Sequence, residues 1–144
     1  MNLSRLLVFL QFFSLTLLFF PFQASTDRFE IAIVFLIVAV ILLIWTALHN
    51  KLGNFNIVPE IKDGCCLIKT GPYKYVRHPM YTSVLFIALF ALGYLFILWK
   101  VAIFALLIIV LYFKAKREEN LWCLKTDEYK EYKQVTKMFI PFVV

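Results

Sequence analysis

Apolar residues in this chain fall in long unbroken blocks, neither alternating nor confined to one helical stripe, and the blocks decide the elements. The first runs from Leu3 to about Phe22, interrupted only by Arg5 near its start and by Gln11, Ser14 and Thr16. About 20 consecutive apolar residues carry a helix across the hydrocarbon core of a bilayer, so the block predicts a transmembrane helix over 3–22. Its rival is a cleaved secretion signal, but Phe22-Gln23-Ala24-Ser25 lacks the small-x-small cleavage pattern, and the segment is expected to be retained. After a short polar break at Asp27, Arg28 and Glu30, the stretch Ile31 to Leu48 holds no charge and predicts a second span over 31–48. Trp45 and His49 lie at its far end, where amphipathic rings favour the headgroup region.

From Asn50 to Pro79 the pattern turns polar and irregular, punctuated by Gly53, Pro59, Gly64, Gly71, Pro72 and Pro79. Those residues predict a long connection without a long helix. Such a connection in a compact protein is usually functional or disordered, and the interleaved Leu67, Ile68, Tyr73 and Tyr75 argue against disorder. Met80 to Phe113 then carries a single charge, Lys100. The block is too long for one span and predicts a helical hairpin of 80–98 and 101–113, turning around Gly93 to Lys100. Its second arm is expected to run on into the polar stretch ending at Lys125. Gly93, with Ala88 and Ala91 nearby, offers a small surface on which helices pack closely. The expected architecture is one all-α integral membrane domain over 1–144, with four transmembrane helices and a C-terminal helical tail.

Composition agrees with that solvent. Of 144 residues 62% are hydrophobic, more than a soluble domain this small can bury. Disordered, collagenous and coiled-coil classes are excluded by the same pattern. The net charge of +6 reads as positive-inside bias, so no nucleic-acid partner is expected. With four spans, thirteen Lys and Arg residues fall on the side of the termini and the 50–79 loop, against Arg28 and Lys100 on the other. Both termini and the loop are therefore expected to be cytoplasmic. Cys65, Cys66 and Cys123 show no metal-ligand or disulfide spacing and read as free thiols, with no metal expected. The chain gives no reading of oligomeric state.

Two polar segments flank the predicted hairpin on one face. Thr70 to Tyr81 places a permanent cation, Arg77, a titratable ring, His78, and three phenols at the mouth of the third span. Lys114 to Glu119 lies where the fourth span leaves the apolar region. Hairpin connectivity brings the two together, so Arg77 and His78 are expected to face Glu118 and Glu119 at headgroup depth. Pro79 disfavours helical geometry at His78 directly before the span. Solvated helix ends and aromatic anchors produce similar segments, but two ionisable pairs converging at a membrane boundary suit a charged ligand meeting a lipid tail.

Gly71-Pro72-Tyr73-x-Tyr75-Val76-Arg77-His78-Pro79-Met80-Tyr81, then a hydrophobic hairpin, Glu118-Glu119, Tyr129-x-x-Tyr132 and Phe139-Ile140-Pro141, resembles the isoprenylcysteine carboxyl methyltransferase family. That family is similar in turn to the phospholipid N-methyltransferases. The resemblance covers about residues 50–144. It implies a cytoplasmic loop wrapping S-adenosylmethionine, with Leu67, Ile68, Tyr73, His78, Pro79 and Tyr81 in the cofactor pocket and Glu118 or Glu119 at the cofactor's polar end. It implies Arg77, His78 and Lys114 as the catalytic set, with Tyr73 and Tyr81 facing the sulfonium. Lys114 stands where the family usually has Arg, a point donor in place of a bidentate fork. Lys125-Thr126 stands where the family usually has Phe-Gly. A carboxylate on a lipid-like or lipidated acceptor needs no base, whereas an amine acceptor would need His78 or a glutamate. The implied location is a bacterial inner membrane, because the extra N-terminal spans of the eukaryotic enzymes are not seen. Alternatives at this point are a lipid amine as acceptor and a non-catalytic membrane scaffold; a transporter lacks charges within its spans to mark a pathway.

Overall fold

Proline residues and polar runs set the helix ends in the computed structural model, which describes residues 2–21, 29–50, 54, 56–61 and 64–141. Helix α1 spans Leu3–Phe19 and stops before the expected 22, because Phe20 is extended ahead of Pro21. The break at Asp27 and Arg28, the Phe22 to Ser25 stretch and Gly53 lie outside the described residues. Helix α2 is Phe29–His49, α3 is Pro79–Tyr94, α4 is Leu98–Lys125 and α5 is Asp127–Val135. A short 3-10 turn covers Gly71–Lys74, and among the described residues there is no strand. The hairpin turns at 95–97, so Lys100, expected in the turn, sits in the first turn of α4 and is buried there. The last long helix joins the expected span and its polar extension without interruption.

Exposure is inverted relative to a soluble protein. On α2 only Ala32, Ala39 and Thr46 are buried, while Ile31, Val34, Ile37, Ile41, Ile44 and Leu48 are exposed. On α1 the inward face is Ser4, Leu7, Gln11, Ser14 and Leu18, and Phe9, Phe12 and Phe13 point outward. An apolar shell around a partly polar interior is stable where lipid is the solvent. Two helices, α2 and α4, are long and apolar enough to cross a bilayer, and α1 and α3 are shorter apolar helices. The protein is an all-α membrane protein.

Packing pairs α2 with α3 and α1 with α4, and α3 joins the pairs. Small residues set the first contact: a Cβ built on Gly93 would come within 3.3 Å of the Ala32 side chain, so α3 approaches α2 with almost no clearance. Leu18, Ala88, Ala91, Leu107, Leu111 and Ala115 form the core between α1, α3 and α4. Met138 and Phe139 join this cluster, which anchors the segment after α5 against the polar end of the bundle.

Candidate active site

Pro79 occupies the first position of α3, and its ring keeps His78 out of the helix at φ −124, ψ 59. The backbone there pairs with the segment after α5. Arg77 N–H donates to the Lys137 carbonyl at 2.8 Å, His78 N–H to Met138 at 3.1 Å, and Lys137 N–H back to Tyr75 at 3.3 Å. Three side chains tighten the same clasp. Arg77 Nη1 donates to the carbonyls of Lys133 and Thr136, Thr82 Oγ1 donates to Phe139, and the Tyr132 hydroxyl donates to Tyr73.

The two glutamates of α4 diverge. Glu119 is fully buried and meets Arg77 Nε at 2.7 Å, Lys133 Nζ at 3.0 Å and His78 Nε2 at 3.5 Å. Glu118 is partly exposed, accepts a hydrogen bond from the Tyr81 hydroxyl and lies 3.5 Å from His78 Nδ1. The His78 ring stacks on Tyr81, 5.4 Å between centroids with the planes 7° apart. Burial would by itself lower the His78 pKa, but contacts with Glu118 and Glu119 and their charge outweigh it and raise it. The imidazole is thus favoured as a cation. Burial, and then the Glu118 charge, push the Tyr73 phenol up to about 12.

Between these groups and the loop before α3 lies a half-open cleft of about 140 Å³. Of the residues anticipated from sequence, Leu67, Ile68, Tyr73, His78, Pro79, Tyr81 and Glu118 line it, as does Arg77. Glu119 and Lys114 do not. Glu119 sits beneath the cleft as the hub of the ion pairs. Lys114 is buried on α4 with Nζ 2.5 Å from Gln11 Oε1, 3.2 Å from the Ile57 carbonyl and 5.0 Å from the Tyr81 ring centre. Among the described residues no group of three His, Cys, Asp or Glu is placed to hold a metal.

The cleft also has walls to which sequence reasoning assigned no role: Asn54, Glu60, Trp122 and Tyr129. Trp122 follows Glu118 by one helical turn, and that spacing puts both on one face of α4. Tyr129 stacks on Trp122 at 5.9 Å. Asn54 holds the loop by a reciprocal pair of hydrogen bonds with Cys66, at 3.1 and 2.7 Å, a contact no local pattern reveals. The Lys125-Thr126 pair has a structural use. Lys125 Nζ donates to the Cys65 carbonyl at 3.1 Å, and the extended Thr126 accepts from Glu128 N–H, capping α5.

The sequence matches the model of the isoprenylcysteine carboxyl methyltransferase (ICMT) family over residues 32–122. The match begins and ends earlier than the 50–144 stretch on which the motif resemblance rests. It takes in α2, the loop, α3 and α4 through Trp122, and leaves out α1, α5 and the Phe139-Ile140-Pro141 end. No curated protein matches the chain. The matched segment exceeds half the chain and carries His78, Tyr81 and Glu118 in one cleft, and the protein belongs to the isoprenylcysteine carboxyl methyltransferase family of membrane methyltransferases.

Proposed function

We propose that the protein transfers a methyl group from S-adenosylmethionine to the carboxylate of a lipid-like or lipidated acceptor at the cytoplasmic membrane face. The observation that carries this reading is the cleft at the mouth of α3, where Glu118, His78 and aromatic faces converge beside an apolar wall. Its donor set suits the cofactor. The Glu118 carboxylate is an acceptor for an ammonium, the Tyr73, Trp122 and Tyr129 rings suit a cation or a flat base, and Leu67, Ile68 and Pro79 supply apolar contact. When bound, the cofactor supplies a methyl group on a sulfonium, already an excellent leaving group. What remains for the protein is alignment, with the acceptor oxygen held at about 3–3.5 Å from the methyl carbon.

A carboxylate acceptor is favoured over an amine by His78, whose raised pKa favours the protonated ring, already carrying the proton a base would have to take and a good partner for negative charge. Lys114 reaches the Tyr81 ring from the side of α1, so its ammonium is assigned to hold the acceptor's anionic end. Arg77 has Nε committed to Glu119 and Nη1 to the carbonyls of Lys133 and Thr136, and is assigned to positioning His78. In this reading α1 and α3 cross a thinned bilayer beside α2 and α4, the whole chain acts as one domain, and the acceptor enters sideways between helices.

The test is transfer of a labelled methyl group to an S-prenylated cysteine and to an aminophospholipid, with the products resolved by mass spectrometry. Label on the carboxylate is expected. Label appearing on the phospholipid nitrogen instead would overturn the assignment.

A further inference from the structure

A second recess lies between α1 and α4, on the side of α4 turned away from the cleft. It is a groove of about 530 Å³ whose apolar walls are Leu3 and Leu7 of α1 with Phe113 and Leu121 of α4, and whose cations are Lys116 and Arg117. Position along α4 fixes its depth. Phe113 ends the apolar run, and the polar stretch begins at Lys114, so the groove straddles the boundary between hydrocarbon and headgroups.

Charge inside it is uncompensated. Arg117 Nε is buried with no hydrogen-bond partner, and neither Arg117 nor Lys116 enters an ion pair among the described residues. The two adjacent carboxylates are engaged elsewhere, Glu118 with Tyr81 and His78, and Glu119 with Arg77, His78 and Lys133. The Lys116 ammonium lies 5.4 Å from the Tyr112 ring centre, which keeps it near the groove without neutralising it. A buried guanidinium donor without an acceptor is costly, and an anion arriving with its own apolar chain satisfies both halves of the recess at once.

We infer that this groove binds an anionic membrane lipid, with its phosphate on Arg117 and Lys116 and an acyl chain along Leu3, Leu7 and Phe113. Two of the seven lining residues, Leu3 and Leu7, belong to α1, outside the residues that match the family, and the recess faces away from the cleft, so the site does not depend on methyl transfer. Bound lipid would fasten α1 to α4 close to the Gln11–Lys114 contact.

Native mass spectrometry of delipidated protein in neutral detergent tests this, titrating phosphatidylglycerol and phosphatidylcholine of matched chains, with inorganic phosphate as a competitor. One phosphatidylglycerol should bind roughly thirtyfold more tightly than phosphatidylcholine. The Lys116→Gln/Arg117→Gln variant should lose that preference, and Leu7→Trp, which fills the apolar wall and keeps both cations, should weaken both lipids. Equal affinity for the two lipids, an unchanged preference in the glutamine variant, or displacement by millimolar phosphate would each overturn the proposal. Circular dichroism and monodispersity in detergent, measured on the same variants, are expected to match wild type and separate loss of this site from unfolding.

Discussion

Adjacent glutamates on one helix end up in opposite circumstances, and that contrast is the sharpest consequence at the residue scale. Beneath the cleft, Glu119 is the one carboxylate among the described residues that pairs with Arg77 and Lys133, and it borders His78. Glu119→Ala leaves the buried Arg77 guanidinium without a counter-charge, an effect of about 3–5 kcal/mol. Thermal unfolding in detergent should show a large fall for Glu119→Ala and little change for Glu118→Ala, whose side chain reaches solvent. Equal melting temperatures would remove Glu119 from its role as hub. His78 adds a pH dependence. Its pKa is raised in the fold above the ordinary 6.5, so the charged ring contributes stability that is full below 6.5 and fades as pH climbs through the folded value. Melting temperature should fall over that alkaline limb in wild type, and His78→Gln should flatten the fall.

Within the 70–81 segment the residue types were readable and their partners were not. His78-Pro79 announces a non-helical residue at the entry to a helix, and the Glu pair announces counter-charges, so the meeting of Arg77 and His78 with Glu118 and Glu119 followed from hairpin connectivity. The split between the two glutamates did not follow, because one residue of helical rotation separates cleft from core and the apolar blocks carry no phase.

At the scale of elements, the site depends on a clasp that hydropathy does not reveal. The segment after α5 pairs through backbone hydrogen bonds with Tyr75, Arg77 and His78, where the sequence offers a helical tail and a closing Phe139-Ile140-Pro141 without naming their partner. Lys137→Pro removes the N–H that bonds Tyr75 and should weaken cofactor binding, whereas Lys137→Ala, which keeps that N–H, should not. Isothermal titration of the two variants distinguishes them, and equal affinities would mean the clasp does not shape the cleft. Gly71 is a second joint. It sits at φ +60, and a Cβ there would come within 2.4 Å of the His49 ring. Gly71→Ala is therefore expected to displace the turn bearing Tyr73, at about 1–3 kcal/mol of stability, read by chemical denaturation. His49, which the sequence marks only as a headgroup residue, is thus part of the floor under the loop. The helices themselves were legible because charge-free blocks leave few alternatives. Their ends were less so, since Phe20-Pro21 and the 95–97 turn act through backbone geometry that block length does not encode.

For the whole molecule, the apolar exterior and polar seams give the protein its place in lipid, and the charge distribution sets the expected orientation. Impermeant thiol labelling of intact cells or oriented vesicles tests four spans. Exposed Cys66 should react only from the cytoplasmic side, and a cysteine at exposed Leu98, in a background without the other thiols, only from the opposite side. Reaction of both positions from one side would require a different number of crossings.

The central claim is that the cleft below the 71–79 turn holds S-adenosylmethionine through Glu118. Isothermal titration calorimetry of the cofactor into detergent-purified, monodisperse protein tests it most directly, comparing wild type with Glu118→Ala. The account predicts saturable one-site binding in wild type and a loss of affinity of roughly tenfold or more in the variant, with its melting temperature preserved. Absence of saturable binding in folded wild type, or an unchanged Kd in Glu118→Ala, would contradict it.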